Sequence, residues 1–144
     1  MSNTRMVIVV RRDLNMTPGL LAAQAIHTAM GFIQERIKED IIPHALNTLS
    51  KKNPYLDHQA VAFSNLEIDW IKQPYVTVLA VDTHEELEAV QKMVEDAGLP
   101  HHPWDDVIPS KVLEGRVLEC FVGLSIGPAD SDALRKVTGT LPLY

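Results

Sequence analysis

Residues 6–10, Met-Val-Ile-Val-Val, form an unbroken apolar run in which every residue after Met6 is β-branched. Such a run fits a strand covered on both faces, because a half-exposed strand would alternate apolar with polar residues. The next element is marked as sharply. After Arg11-Arg12-Asp13 comes Thr17-Pro18, an N-cap residue followed by proline at the first helical position, and then GLLAAQAIHTAMGFIQERIKE. Leu21, Ala25, Thr28, Phe32 and Ile33 share one stripe, which predicts a long helix from Pro18 that ends before Pro43. A buried strand feeding a helix commits the chain to an α/β layered fold.

The rest of the chain extends this pattern. Residues 41–63, with Pro43, Lys51-Lys52 and Asn53-Pro54, read as a second short helix and a loop. Ser64 and Glu67 have capping-box spacing ahead of IDWIKQ, a short helix. Tyr75–Val81 reads as a second buried strand. Thr83 and Glu86 repeat the box spacing before the stripe Leu87, Val90, Val94 and Ala97, with Gly98 as stop. Leu99–Trp104, broken by prolines, is at best an edge strand, and 105–116 reads as loop. Val117–Ile126 is the third strong strand, ended by Gly127-Pro128, and SDALRKVTG is a short helix stopped at Gly139. The expected architecture is one domain over 1–144, three layers with a mixed sheet of about four strands between helices. A right-handed crossover should set the first two strands parallel.

Composition excludes several classes of function. Thirteen Lys+Arg against nineteen Asp+Glu give a net charge of −6, which argues against recruitment to nucleic acid or anionic lipid by bulk charge but leaves room for a local basic patch. Cys120 is the one cysteine, so no internal disulfide forms. The apolar stretch near the start is too short for a signal-peptide core, and no run approaches the ~18 residues of a membrane span. A cytoplasmic protein without membrane contact is the expectation.

Ligands of open α/β sheets collect beyond the carboxyl ends of strands. Here that places Arg11, Arg12, Asp13, Asn15 and the Thr17-Pro18-Gly19 turn at a candidate site, with the Gly19 and Leu20 amides able to meet a phosphate or oxyanion. An ordinary capped helix explains the same signal. Gln24 and His27 lie on the helix face shared with Leu20 and could aim at a substrate, although a histidine satisfied within the fold is the plainer reading. The cluster His101-His102-Pro103-Trp104-Asp105-Asp106 holds metal-ligating types. Its spacing matches no zinc pattern, and adjacent strand residues diverge, so no metal is expected there. No Walker loop, nucleophile elbow or paired cysteines occur.

These pieces together resemble the type-II peptidyl-tRNA hydrolase family. MVIVVRRDLNMTPGLLAAQAIHTA is similar to that family's strand, D-L-x-M turn and G-x-x-A-A-Q-x-x-H helix; GLSIGPADSDALRKVTGTLPLY is similar to its G-I-G-P segment and V-T-G-x-L-x-L tail. QPYVTVLAV and AGLP match its second strand and helix end. The likeness covers 6–31 and 73–144. It implies a homodimeric hydrolase, without metal or organic cofactor, that cleaves the ester between a peptide and the terminal ribose of tRNA. Its D-A-G-x-T-Q-x-x-P-G loop falls on Asp106–Gly115, so Asp106 matches the catalytic aspartate and Ser110 the threonine. His27 joins them as a catalytic candidate. Arg11, Arg12, Asn15, Gly19, Leu20, Gln24, Lys111 and Arg116 are the substrate-binding candidates.

Three family cations are absent: the K-G-K of the helix start falls on Pro18 and Leu20, and the lysine of D-L-K-M on Asn15. A divergent branch, the peptidyl-tRNA hydrolase domain-containing proteins, shows a similar helix start and a tryptophan where Trp104 stands. The alternative to a hydrolase is a non-catalytic binding module on the same fold, gripping an RNA end, a nucleotide or a protein partner.

Overall fold

The computed structural model describes residues 3–38, 62–113 and 116–144, with the side chains of 109–118 outside that description. The helix and loop expected over 41–63 fall outside the described residues up to residue 61. In chain order the elements are β1 (Thr4–Arg11), α1 (Pro18–Ala29), α2 (Gly31–Arg36), α3 (Asn65–Lys72), β2 (Val76–Val81), α4 (His84–Asp96), β3 (His101–Leu113), β4 (Arg116–Asp130) and α5 (Ser131–Thr138). The sheet order is β2-β1-β4-β3. β1 runs parallel to β2 and antiparallel to β4, and β3 and β4 form an antiparallel pair.

β1 is interior because both of its edges are paired, and Met6–Val10 are buried throughout. On one face Val7 and Val9 pack with Leu87, Val90 and Val94 of α4 and Leu134 and Val137 of α5. On the other face Met6 meets Phe32 of α2 and Trp70 of α3, while Leu14, Ile108 and Val122 form a further cluster beside α1. Three layers result. Each fully buried aliphatic or aromatic side chain contributes about 1.5–3 kcal/mol, so the two faces together hold the sheet between its helices.

The caps read from sequence are in place. Thr17 Oγ1 accepts from Leu20 N–H at 3.3 Å, and Pro18 opens α1. Ser64 and Glu67 satisfy each other's backbone amides. At α4 only half of the box forms as expected: Thr83 caps Glu86 N–H, while the Glu86 carboxylate reaches the Asp82 amide.

Three expectations need correction. The long first helix is broken at Met30, and α2 begins at Gly31. A Cβ on Gly31 would stand 2.8 Å from His102 Cβ, so the break sits where the helix pair packs tightly against β3. Residues 105–113 are strand rather than loop: Asp105, Asp106 and Val107 pair with Phe121, Cys120 and Glu119. Among the described residues β3 has a strand neighbour on one side only, so its prolines and aspartates interrupt no ladder on the other edge. β4 does not stop at Gly127-Pro128 but runs on to Asp130, joined there by a cis peptide. Pro128 falls within the irregularity between Arg5↔Ala129 and Val7↔Ile126, where no ladder bond is demanded of it. Among the described residues no helix is long and apolar enough to cross a membrane.

Candidate active site

Alternation along β3 turns Trp104, Asp106 and Ile108 toward α1. Ile108 is fully buried with Leu14 and Val122, and Leu20, Trp104 and Cys120 pack around them. The β3–β4 register passes from Trp104↔Gly123 to Asp105↔Phe121, which leaves Val122 as an extra residue on β4. This bulge lies beside Asp106, and bulges commonly re-aim side chains at sites.

α1 supplies the partner. Gln24 is only 3% exposed. Its Nε2 donates to Asp106 Oδ2 at 2.9 Å, and its Oε1 accepts from the Trp104 indole N–H at 2.8 Å. The Val107 amide donates to Asp106 Oδ1 at 2.7 Å. The Gln24 bond, chiefly, and then the Val107 amide and neighbouring His27 hold the Asp106 carboxyl below the usual carboxylate range, against a smaller desolvation effect. His27 is exposed, its ring 5.2 Å from that of Trp104. The helix can come this close because residue 123 is glycine: a Cβ there would lie 3.0 Å from Thr28 Oγ1 and 3.2 Å from the Val9 carbonyl. Thr28, itself buried, donates back to the Gln24 carbonyl at 2.7 Å.

The two arginines lie elsewhere. Arg11 shares the strand face of Val7 and Val9, toward His84 at the start of α4. Its Nε and Nη2 donate to the two Asp13 oxygens at 2.9 and 2.7 Å, and Nη1 donates to the Phe121 carbonyl at 3.0 Å. The Asp13 hydrogen bonds raise the guanidinium's pKa despite burial. This arrangement fits a fixed part of the fold. Arg11→Met should therefore cost about 1–3 kcal/mol of stability, the range for charged hydrogen bonds. Thermal unfolding should detect that loss while KM stays constant; a raised KM at unchanged stability would restore Arg11 to substrate binding. Arg12 donates to the Leu143 carbonyl at 2.8 Å and faces Asp82 at 3.6 Å, an exposed pair at the C-terminal tail.

The sequence profile of the family described as "Peptidyl-tRNA hydrolase PTH2" matches residues 4–144. The chain is 30% identical over 139 residues to the peptidyl-tRNA hydrolase of Methanothermobacter thermautotrophicus, covering 96% of this chain and 98% of that protein. It is also 30% identical to the peptidyl-tRNA hydrolase of Sulfurisphaera tokodaii, covering 97% and 98% of the two chains. A third relative is the human mitochondrial peptidyl-tRNA hydrolase 2, 30% identical over 97% of this chain and 64% of the human protein. The chain belongs to the PTH2 family.

Within this PTH2 chain the structure brings Gln24, His27 and Asp106 together, and Leu20 packs against the same apolar cluster. The Leu20 amide donates to Thr17 Oγ1 at 3.3 Å, at the exposed start of α1. Gly19 is exposed on the first turn. Asn15 holds a left-handed turn at φ 48°, its side chain 3.4 Å from the Asp13 carbonyl. The side chains of Ser110, Lys111 and Arg116 lie outside the described residues. Their backbone belongs to β3 and β4, with Arg116 opposite Leu113.

His101 and His102 diverge as adjacent strand residues should: His101 lies 3.5 Å from Glu95 of α4, and His102 pairs with Glu35 of α2. Both border a cleft of about 590 Å³ away from Asp106. The charged groups there pair among themselves, Glu67 with Arg36 included. Burial favours a neutral Glu67, but hydrogen bonds from Ser64 and Arg36 outweigh it and keep its carboxyl below the usual range.

Sequence reasoning did not find the Trp104–Gln24 bond. A signal was present: Trp104 stands two residues before Asp106, and strand alternation puts them on one face.

Proposed function

We propose that this chain hydrolyses the ester between a peptide and the terminal ribose of tRNA, with Asp106 directing the attacking water. The observation that carries the reading is the Asp106 carboxylate, held ionised by two N–H donors beside α1 in a chain of the PTH2 family. Water adds to the ester carbonyl, the bond to the ribose oxygen breaks, and that oxygen leaves as a hydroxyl with one of the water's protons. A carboxylate below its usual pKa range is a weak proton acceptor at neutral pH. Its main contribution is to orient the water and balance the charge that water acquires, rather than to drive full deprotonation. In this reading the Ser110 hydroxyl donates to the developing oxyanion, and His27, Asn15, Gly19, Lys111 and Arg116 line the approach of the tRNA end. The decisive assay is release of labelled peptide from peptidyl-tRNA by the purified protein, with Asp106→Ala alongside. Turnover by the wild type that the variant lacks supports the assignment.

A homodimer and a cytoplasmic location belong to the same reading. Sedimentation at micromolar concentration tests the first and imaging of a tagged chain the second.

One feature favours a binding module instead. Leu20 occupies the position to which the family resemblance assigns a lysine, and it packs against the apolar cluster at the site. Leu20→Lys tests this directly. Leucine and lysine have similar helix propensity, and a lysine stem can follow the leucine's course with its head in water. For a hydrolase weakened by the missing cation, the substitution should raise the rate by up to about 10²-fold. For a binding module it should give no turnover, only tighter RNA binding with a salt slope steeper by about one phosphate contact.

A further inference from the structure

We propose that Trp104 is a positioning residue that acts through Gln24, fixing which end of the Gln24 amide faces Asp106. The inference rests on the hydrolase reading only for its consequence in catalysis; the relay itself stands on geometry.

An amide can present either its oxygen or its NH₂ to a neighbour, and a carboxyl group can accept either. A carboxylate takes the NH₂, while a protonated carboxyl can donate to the oxygen. Gln24 alone would therefore follow the protonation state of Asp106 by turning over. The Trp104 indole removes that choice because it is a donor and never an acceptor. With Nε1 2.8 Å from Gln24 Oε1, it holds the oxygen on its own side and commits Nε2 to Asp106 Oδ2 at 2.9 Å. Turning the amide over would set N–H against N–H at Trp104. Gln24 is buried at 3% exposure, so water offers little compensation for such a clash.

The other Asp106 oxygen accepts from the Val107 amide. Protonating Asp106 at Oδ2 thus costs a hydrogen bond that cannot rearrange. The relay runs from β3 to α1 and back to β3, joining residues 80 and 82 positions apart. Trp104 is itself held by the cluster of Leu14, Ile108 and Val122. Other titratable groups around Asp106 are His27 on α1, Cys120 opposite it on β4, Asp105 beside it, and Glu119 opposite Val107. All of them are retained when Trp104 alone is changed.

Trp104→Phe keeps an aromatic ring in the cluster and removes the N–H. The Asp106 carboxyl should be titrated by ¹³C NMR in wild type, Trp104→Phe, Gln24→Leu and the double variant, with thermal unfolding to confirm folding. The expected result is a midpoint moved to higher pH in Trp104→Phe, enough to lower the ionised fraction about three- to tenfold at a fixed pH on the acid side. Gln24→Leu should move it at least as far, and Trp104→Phe should add nothing in that background. The acid limb of kcat for peptidyl-tRNA cleavage should move with the NMR midpoint. An unmoved midpoint in folded Trp104→Phe would overturn the relay, as would an equal shift with and without Gln24. A midpoint that moves as expected in a protein without hydrolysis in any form would leave the relay standing and overturn the hydrolase reading.

Discussion

Asp106→Asn should lower peptide release from peptidyl-tRNA by about 10²–10⁴-fold, the range for losing a positioned acid–base group. Asparagine keeps the shape and one oxygen, so either Gln24 or the Val107 amide can still be satisfied. Binding and folding should change little, and the loss should appear in kcat rather than KM. The wild-type acid limb should lie below the ordinary carboxylate range. The sign follows from the depressed pKa: the active, ionised form persists at pH values where a free aspartate is already protonated, and activity is lost only as pH falls through the folded-state value. A single-turnover assay across pH checks both statements. A variant within threefold of wild type would remove Asp106 from the chemistry.

The second large effect is expected at Gly123, far from Asp106 in function but coupled to it by packing. Gly123→Val would put a Cβ 3.0 Å from Thr28 Oγ1 and 3.2 Å from the Val9 carbonyl before its two methyl groups are added. Backbone on one side and a buried helix residue on the other leave no flexible neighbour to give way, so α1 must move outward. Overpacking of this kind costs about 1–3 kcal/mol, occasionally more. Calorimetry should show a Tm lowered by roughly 3–10 °C, at a few degrees per kcal/mol for a chain of this size. Thr28 donates to the Gln24 carbonyl, so displacing it displaces Gln24 too. The hydrolysis rate should therefore fall even at temperatures where the variant is fully folded, because a misplacement of about 1 Å can cost 10²-fold. A destabilised variant with unchanged kcat would show that the approach of α1 to β4 serves stability alone.

Local signals carried much of the fold. The Met6–Val10 run placed the interior strand because only a strand covered on both faces tolerates apolar residues at every position. Thr17-Pro18, Ser64-Glu67 and Thr83 marked helix starts because a cap is an interaction between residues three or fewer apart. The motifs from Asp13 to His27 and from Gly123 to the tail likewise carried the family resemblance that the full-length match bears out. The sequence alone thus determined the α/β layering, the parallel pair β1–β2 and Asp106 as the residue to test.

The tertiary structure decided what depends on pairing across distance. β3 extends through Asp105–Leu113 because β4 supplies a ladder for it, although its own residues have little preference for strand. Arg11 turns away from α1 because strand alternation carries it to the face of Val7 and Val9, where Asp13 and the Phe121 carbonyl satisfy its charge. Gln24 meets Trp104 and Asp106 because Gly123 lets α1 settle against the sheet and a bulge at Val122 shifts the strand beside them. Local alternation sets which way Arg11, Trp104 and Asp106 face, but no local pattern encodes the contacts they make across the fold. Those contacts arise from close packing of elements whose sequence separation leaves register and approach distance to the folded whole.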